Sequence, residues 1–96
     1  MKAIRLKDPE NISLQEIEVP SPSPGEILIK VRAAQICGTD LRMYLHGHKG
    51  PRGHYLTLGH ELAGVIAELG KGVTGYTIGK PAAVAPNYGC GICNLC

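Results

Sequence analysis

Ninety-six residues, 44% of them hydrophobic, suffice for one small domain and leave no room for a second, since a chain of this size buries roughly 60–65% of its unfolded surface in a single core. A net charge of +2 from ten basic and eight acidic residues, with no long block of one sign, excludes a dedicated nucleic-acid or polybasic membrane surface. Charges throughout Met1–Asp8 leave no apolar run for a signal peptide or a membrane span, so no membrane partner and a cytoplasmic location are expected.

Thirteen glycines, seven prolines and no Phe or Trp call for many turns and a core of small aliphatic side chains, which suits short strands. Met1–Leu6 and Leu14–Val19 read as strands, with Ala3 set against Ile4 and with Leu14, Ile17 and Val19 set against Gln15, Glu16 and Glu18. Asp8-Pro9-Glu10-Asn11 between them is a turn, and Pro20–Gly25 is a rigid loop whose prolines cannot continue a ladder. Glu26–Ile36 is the clearest strand, with Ile27, Ile29, Val31 and Ala33 on one face and Lys30 and Arg32 on the other, and it delivers Cys37 at its end.

Gly38-Thr39-Asp40 offers a turn and an N-cap for a short helix over Leu41–Leu45, because Thr39 and Asp40 can both accept unpaired helix N–H groups. His46–His54 is then a polar, glycine-rich loop. Leu62–Leu69 fits a strand or, by composition, a short helix; the glycines at 59, 64, 70 and 72 favour the strand. After a turn at Thr77–Pro81, Ala82–Ala85 is a last short strand, stopped by Pro86. The sum is a turn-rich antiparallel β domain of about six strands, closed into a barrel to avoid open edges.

Cys37, His60 and Glu61 carry the first chemistry. A catalytic zinc takes about three protein ligands and leaves a fourth position open, so Cys37 and His60 alone fall one short. Consecutive residues of an extended chain point to opposite faces, so His60 and Glu61 can share an ion only where the backbone bends, which Gly59 permits. Glu61 is therefore either an exchangeable neighbour or a permanent ligand. Taken singly, a Cys at a strand end is more often a small buried hydrophobe, and a His-Glu pair more often surface.

In a reducing compartment the four cysteines read as thiols or metal ligands rather than disulfides. Cys90, Cys93 and Cys96 stand at intervals of three, and Gly91 lets the backbone fold sharply enough for their sulfurs to converge on one zinc ion. A redox Cys-x-x-Cys pair and a metal-free remnant are the competing readings.

Gly59-His60-Glu61 followed by Gly64, Gly70 and Val73, together with Cys37-Gly38-Thr39-Asp40, resembles the pattern of the zinc-containing alcohol dehydrogenases, the medium-chain dehydrogenase/reductase family. The likeness runs over essentially the whole chain, from Pro24-Gly25-Glu26 to the Cys-rich lobe at 89–96. It implies a GroES-like, partly closed antiparallel β-barrel with a short helix and a zinc lobe. It implies that Cys37 and His60 ligate a catalytic zinc, that Glu61 can enter the coordination sphere, and that Cys90, Cys93 and Cys96 hold a structural zinc. Thr39 would hydrogen-bond the substrate hydroxyl, and Asp40 would accept the free ring N–H of His60. The implied reaction passes hydride between an alcohol or carbonyl substrate and NAD or NADP, with zinc polarising the oxygen, in an enzyme that is homo-oligomeric at full length.

Three departures qualify the likeness. Arg42 stands five residues after Cys37, where some family members carry a proton-relaying histidine, and a guanidinium cannot relay by titrating, though it could pair with a phosphate. His46, His48 and His54 are better read as solvated loop histidines than as substitutes. Lys80-Pro81 replaces the family's usual acidic-basic pair after Gly79. The family's further catalytic ligand, fourth lobe cysteine and Rossmann domain would all lie beyond Cys96, so the chain reads as the N-terminal part of a longer enzyme, inactive alone. The alternative is a free-standing zinc-binding or assembly module without catalysis.

Overall fold

The computed structural model describes residues 1–51, 53–87, 89–90 and 92–93. Lys2–Asp8 (β1) pairs antiparallel with Asn11–Glu16 (β2), Ile4 lying opposite Leu14 and Leu6 opposite Ile12. The hairpin is tighter than expected. Asp8 and Asn11 are themselves paired, which leaves Pro9-Glu10 as the turn. Pro9 presets φ for the first central position, and Glu10 takes φ 59 at the second, where glycine or asparagine is usual. β2 also ends at Glu16 rather than Val19. Its partner runs out there, since Ile17 N–H already donates to the carbonyl of Met1 (2.8 Å).

A non-glycine residue in the left-handed region costs about 1 kcal/mol, so Glu10→Gly is expected to stabilise the protein by about 0.5 kcal/mol after the extra backbone entropy of glycine is offset. The urea midpoint should rise slightly with an unchanged slope. A fall in the midpoint would mean that Glu10 supplies something beyond its backbone shape.

Leu56–Thr57 (β4) pairs with the other side of β1, Leu56 opposite Leu6, and Leu58 N–H donates to the carbonyl of Ile4 (3.1 Å). Two residues are too few to show periodicity, and the strand was not anticipated. The first sheet is thus β2-β1-β4. As its central strand, β1 holds Ala3 and Leu6 buried, at 7% and 0% exposure.

Ile27–Gln35 (β3), Glu61–Leu69 (β5) and Pro81–Ala83 (β6) form the second sheet, order β3-β5-β6, both pairings antiparallel. β5 is a strand, as the flanking glycines favoured, and Ile66 at its centre is buried. The single-face row expected for Ile27, Ile29, Val31 and Ala33 does not form. Two irregularities interrupt the ladder: between Leu28 and Ile29 the extra residue is Ala67 of β5, and between Val31 and Ala33 it is Arg32 of β3, which shifts the alternation of β3 from there on. Val31, beside the second, is 49% exposed. The ladder is anchored at its far end, where Gly70 N–H donates to the carbonyl of Glu26 (2.8 Å) and Gly25 N–H to that of Lys71 (3.0 Å).

Gly38–His46 (α1) starts three residues earlier than expected, and its N-cap is Cys37 rather than Thr39 or Asp40. Cys37 has the extended backbone that a cap requires (φ −115, ψ 173), while Asp40, in the first turn, reaches back to accept the Cys37 N–H. The helix end is tied to the first sheet, since Glu10 N–H donates to the Tyr44 carbonyl (2.7 Å). Six strands and one short helix among the described residues make the mainly β architecture that the composition calls for. No helix among them is long and apolar enough to cross a membrane.

Candidate metal centre

Three elements meet at the open end of the second sheet. β3 runs into Cys37, α1 begins on it, and the chain re-enters at Gly59-His60 before β5 starts with Glu61. Gly59 takes φ 93, the bend that lets His60 and Glu61 turn toward one point instead of opposite faces. The ligand atoms of Cys37, His60 and Glu61 all lie within 4.8 Å of one another, and all three residues are half-buried.

Cys37 Sγ stands 3.1 Å from His60 Nε2. The other ring nitrogen, Nδ1, is 3.3 Å from Asp40 Oδ1. Asp40 is 5% exposed, and its second oxygen, Oδ2, accepts the Cys37 N–H at 3.0 Å. One carboxylate therefore braces both neighbours: the backbone of the cysteine and the ring of the histidine. Oδ1 is nevertheless a buried acceptor without a hydrogen bond among the described residues.

These features fit a zinc ion. Two ligands held at about 2.0–2.3 Å in tetrahedral geometry stand roughly 3.3–3.8 Å apart, and the 3.1 Å between Cys37 Sγ and His60 Nε2 lies just under that range. An imidazole that ligates through Nε2 must carry its proton on Nδ1, and that proton is what the unsatisfied Asp40 Oδ1 lacks. A thiolate, an imidazole and a carboxylate are also the donor types zinc takes.

In the cysteine lobe, Cys90 Sγ lies 3.5 Å from Cys93 Sγ and accepts the backbone N–H groups of Ile92 (3.4 Å) and Cys93 (3.3 Å). Cys96, the third cysteine of this set, lies outside the described residues.

Thr39 occupies the first turn of α1, exposed, two residues from Cys37, and its hydroxyl makes no hydrogen bond among the described residues. Arg42 is exposed on the same helix. The loop histidines stay apart from the centre. His48 accepts the Gly50 N–H at Nδ1 (3.0 Å) and approaches the His54 carbonyl through Nε2 (3.1 Å), which binds the loop to itself. Sequence reasoning passed over Gln35, which the β3–β5 register sets opposite Glu61. Its position two residues before Cys37, on the same side of an extended strand, was the available signal.

Residues 23–96 match the alcohol dehydrogenase GroES-like domain. The chain is 41% identical over 99 aligned residues to L-threonine 3-dehydrogenase of Xanthomonas campestris pv. campestris strain B100, an alignment that covers 100% of this chain and 29% of that protein. The cobalt- and zinc-bound thermostable alcohol dehydrogenase of Pyrobaculum aerophilum superposes with a TM-score of 0.85 at 39% identity, over 98% of this chain and 29% of that one. An alcohol dehydrogenase of Escherichia coli CFT073 complexed with NADH does so with a TM-score of 0.85 at 40% identity, over 98% and 27%. The chain thus spans about 29% of the length of the curated relatives it matches.

Proposed function

The chain belongs to the zinc-type alcohol dehydrogenases of the medium-chain dehydrogenase/reductase family through a GroES-like domain, and from that premise we propose that it is the N-terminal catalytic part of a longer enzyme. That enzyme would move hydride between an alcohol, threonine among the candidates, and NAD or NADP. The observation that carries the reading is the convergence of Cys37, His60 and Glu61 on one point with Asp40 buried behind them. Its relatives include proteins crystallised with zinc and with NADH.

Cys37 and His60 would hold the ion, and Glu61 would approach or leave it. Zinc, when bound, supplies Lewis-acid polarisation of the substrate oxygen. Asp40 would fix the His60 tautomer by accepting a hydrogen bond from its Nδ1–H, and its hold on the Cys37 N–H keeps the Cys37 side chain and the helix start in register. The exposed Thr39 hydroxyl, which makes no hydrogen bond among the described residues, would hydrogen-bond the substrate hydroxyl. Cys90 and Cys93 would belong to a second, structural zinc site together with Cys96.

The surface supports incompleteness. The chain exposes 7527 Å², against about 5,300 Å² for a folded monomer of its mass. Its radius of gyration of 15.0 Å exceeds the roughly 12.5 Å of a compact domain of this length. Leu14, Tyr76 and Ile78 are each more than half exposed, and Ile36 is 84% exposed. Further polypeptide, including a nucleotide-binding domain, would cover such apolar faces.

The longer protein is expected to carry two zinc ions by mass spectrometry of the metal and to oxidise secondary alcohols with NAD or NADP, while Met1–Cys96 alone gives no turnover. Cys93→Ala should remove one ion and leave the other. A single ion, lost in Cys93→Ala and kept in Cys37→Ala, would overturn the catalytic reading, as would turnover by the 96 residues alone. The first result would leave a zinc-binding module without catalysis.

A further inference from the structure

We propose that Gln35 is a positioning residue: its side-chain amide holds the Glu61 carboxylate whenever that carboxylate is off the metal, and so sets how readily Glu61 enters and leaves the site. The inference rests on the reading that Cys37 and His60 hold an ion.

The register is the first support. Gln35 and Glu61 form the last pair of the β3–β5 ladder. Directly opposite residues of an antiparallel pair project from the same face with Cβ atoms about 4.5–5.5 Å apart, within reach of two long side chains. Gln35 and Cys37 are alternate residues of an extended segment, and Ile36 between them is turned out to 84% exposure. Gln35 therefore shares the side from which Cys37 reaches the ion.

The surroundings are the second. Glu61 opens onto a hollow of about 430 Å³ walled by Ala33, Ala34, Leu62, Ala63 and Val84. None of these side chains can hydrogen-bond. Among the described residues that line the hollow, Gln35 and Glu61 are the two polar ones. The ladder repeats the pattern, with Ala33 opposite Ala63 and Ala63 opposite Ala83. Among the described residues neither the Gln35 nor the Glu61 side chain makes a hydrogen bond, with each other or with a third group, so both are uncommitted. A half-buried carboxylate that leaves a cation needs a donor. An amide N–H is a neutral one that steadies the carboxylate without competing for the ion as a second charge would.

Two substitutions at one position should act with opposite sign. Gln35→Leu removes the resting place, so Glu61 stays on the ion. Gln35→Lys holds the carboxylate away with a charge. The metal alone is the probe, in the full-length protein. With cobalt(II) replacing zinc, the visible absorption of the phase lost in Cys37→Ala reports whether a carboxylate is bound, and release to a chromogenic chelator reports the exchange rate. Gln35→Leu should slow release about 3–10-fold and shift the spectrum toward the carboxylate-bound form. Gln35→Lys should speed release by a similar factor. In a Glu61→Gln background both effects should vanish, a coupling that a merely structural role for Gln35 would not produce.

Release rates within twofold of the parent for both variants, or equal effects in the Glu61→Gln background, would overturn the proposal. If the parent protein shows no Cys37-dependent cobalt phase, the metal reading itself fails. If it shows that phase and Gln35 does not move it, only the role of Gln35 fails.

Discussion

His60→Ala in the full-length protein is expected to abolish measurable alcohol oxidation and to lower zinc affinity at the Cys37 centre by about 10²–10³-fold. The magnitude follows from sharing an overall zinc-binding free energy of about 10–16 kcal/mol, the figure for four-ligand sites, among four ligands, roughly 2.5–4 kcal/mol each. Cys37→Ala should do the same or more, because it removes the anionic ligand that His60 faces at 3.1 Å. Asp40→Asn should fall between these variants and the parent. It leaves Cys37 and His60 in place but replaces the carboxylate that stands 3.3 Å from His60 Nδ1, and loss of such a partner costs metal sites about 10–100-fold. The second zinc proposed for the cysteine lobe would serve as an internal control, expected to stay bound in all three. Chelator titration followed by metal analysis gives the ranking, and activity assays with added zinc show whether the loss is one of affinity. If His60→Ala bound both ions with parental affinity, the convergence of Cys37, His60 and Glu61 would be a polar cluster without a metal role.

How far this centre was legible depends on whether local sequence or distant pairing decides each part. The Gly59 bend was legible: two ligands on consecutive residues demand a backbone turn, and φ 93 at Gly59 supplies it. Asp40 was placed behind His60 only through the family likeness, because nothing in the spacing from 40 to 60 brings the two together. The helix cap was misread. Thr39 and Asp40 are better intrinsic caps than cysteine, yet Cys37 holds the cap position, since α1 must start where β3 delivers the ligand and Asp40 then serves from within the first turn. Gln35 stands two residues before Cys37, but its place opposite Glu61 could not be read without the register, which two irregularities of the β3–β5 ladder set. A uniform alternation drawn from Ile27 onward puts the later residues of that strand on the wrong faces. The two-residue β4 was invisible for a simpler reason: it is a strand only because β1 offers it an edge.

Gly64→Ala should destabilise the protein by more than about 3 kcal/mol, at or beyond the upper range for overpacking a tight interior. Gly64 lies in the central strand of the second sheet, paired to Val31 on one side and Ala82 on the other. A Cβ there would sit 2.2 Å from the Lys30 carbonyl oxygen and 2.9 Å from Ile29 Cγ2. The oxygen is backbone and cannot rotate away, so β3 must lift off β5 or slip. Either movement reaches the metal centre, because the same ladder that passes Gly64 ends at Gln35 and Glu61 and hands the chain on to Cys37. Stability and zinc affinity are therefore expected to fall together. Folded domains hold a margin of about 5–15 kcal/mol, so the urea midpoint should drop by a large fraction and much of the expressed protein should be insoluble. Gly38→Ala is the control, since a Cβ at that position meets nothing within 4 Å, and it should leave the midpoint nearly unchanged. A Gly64→Ala protein whose midpoint matched the Gly38→Ala control would show that β3 and β5 part easily at this point, and that the register bringing Cys37 to His60 is held elsewhere.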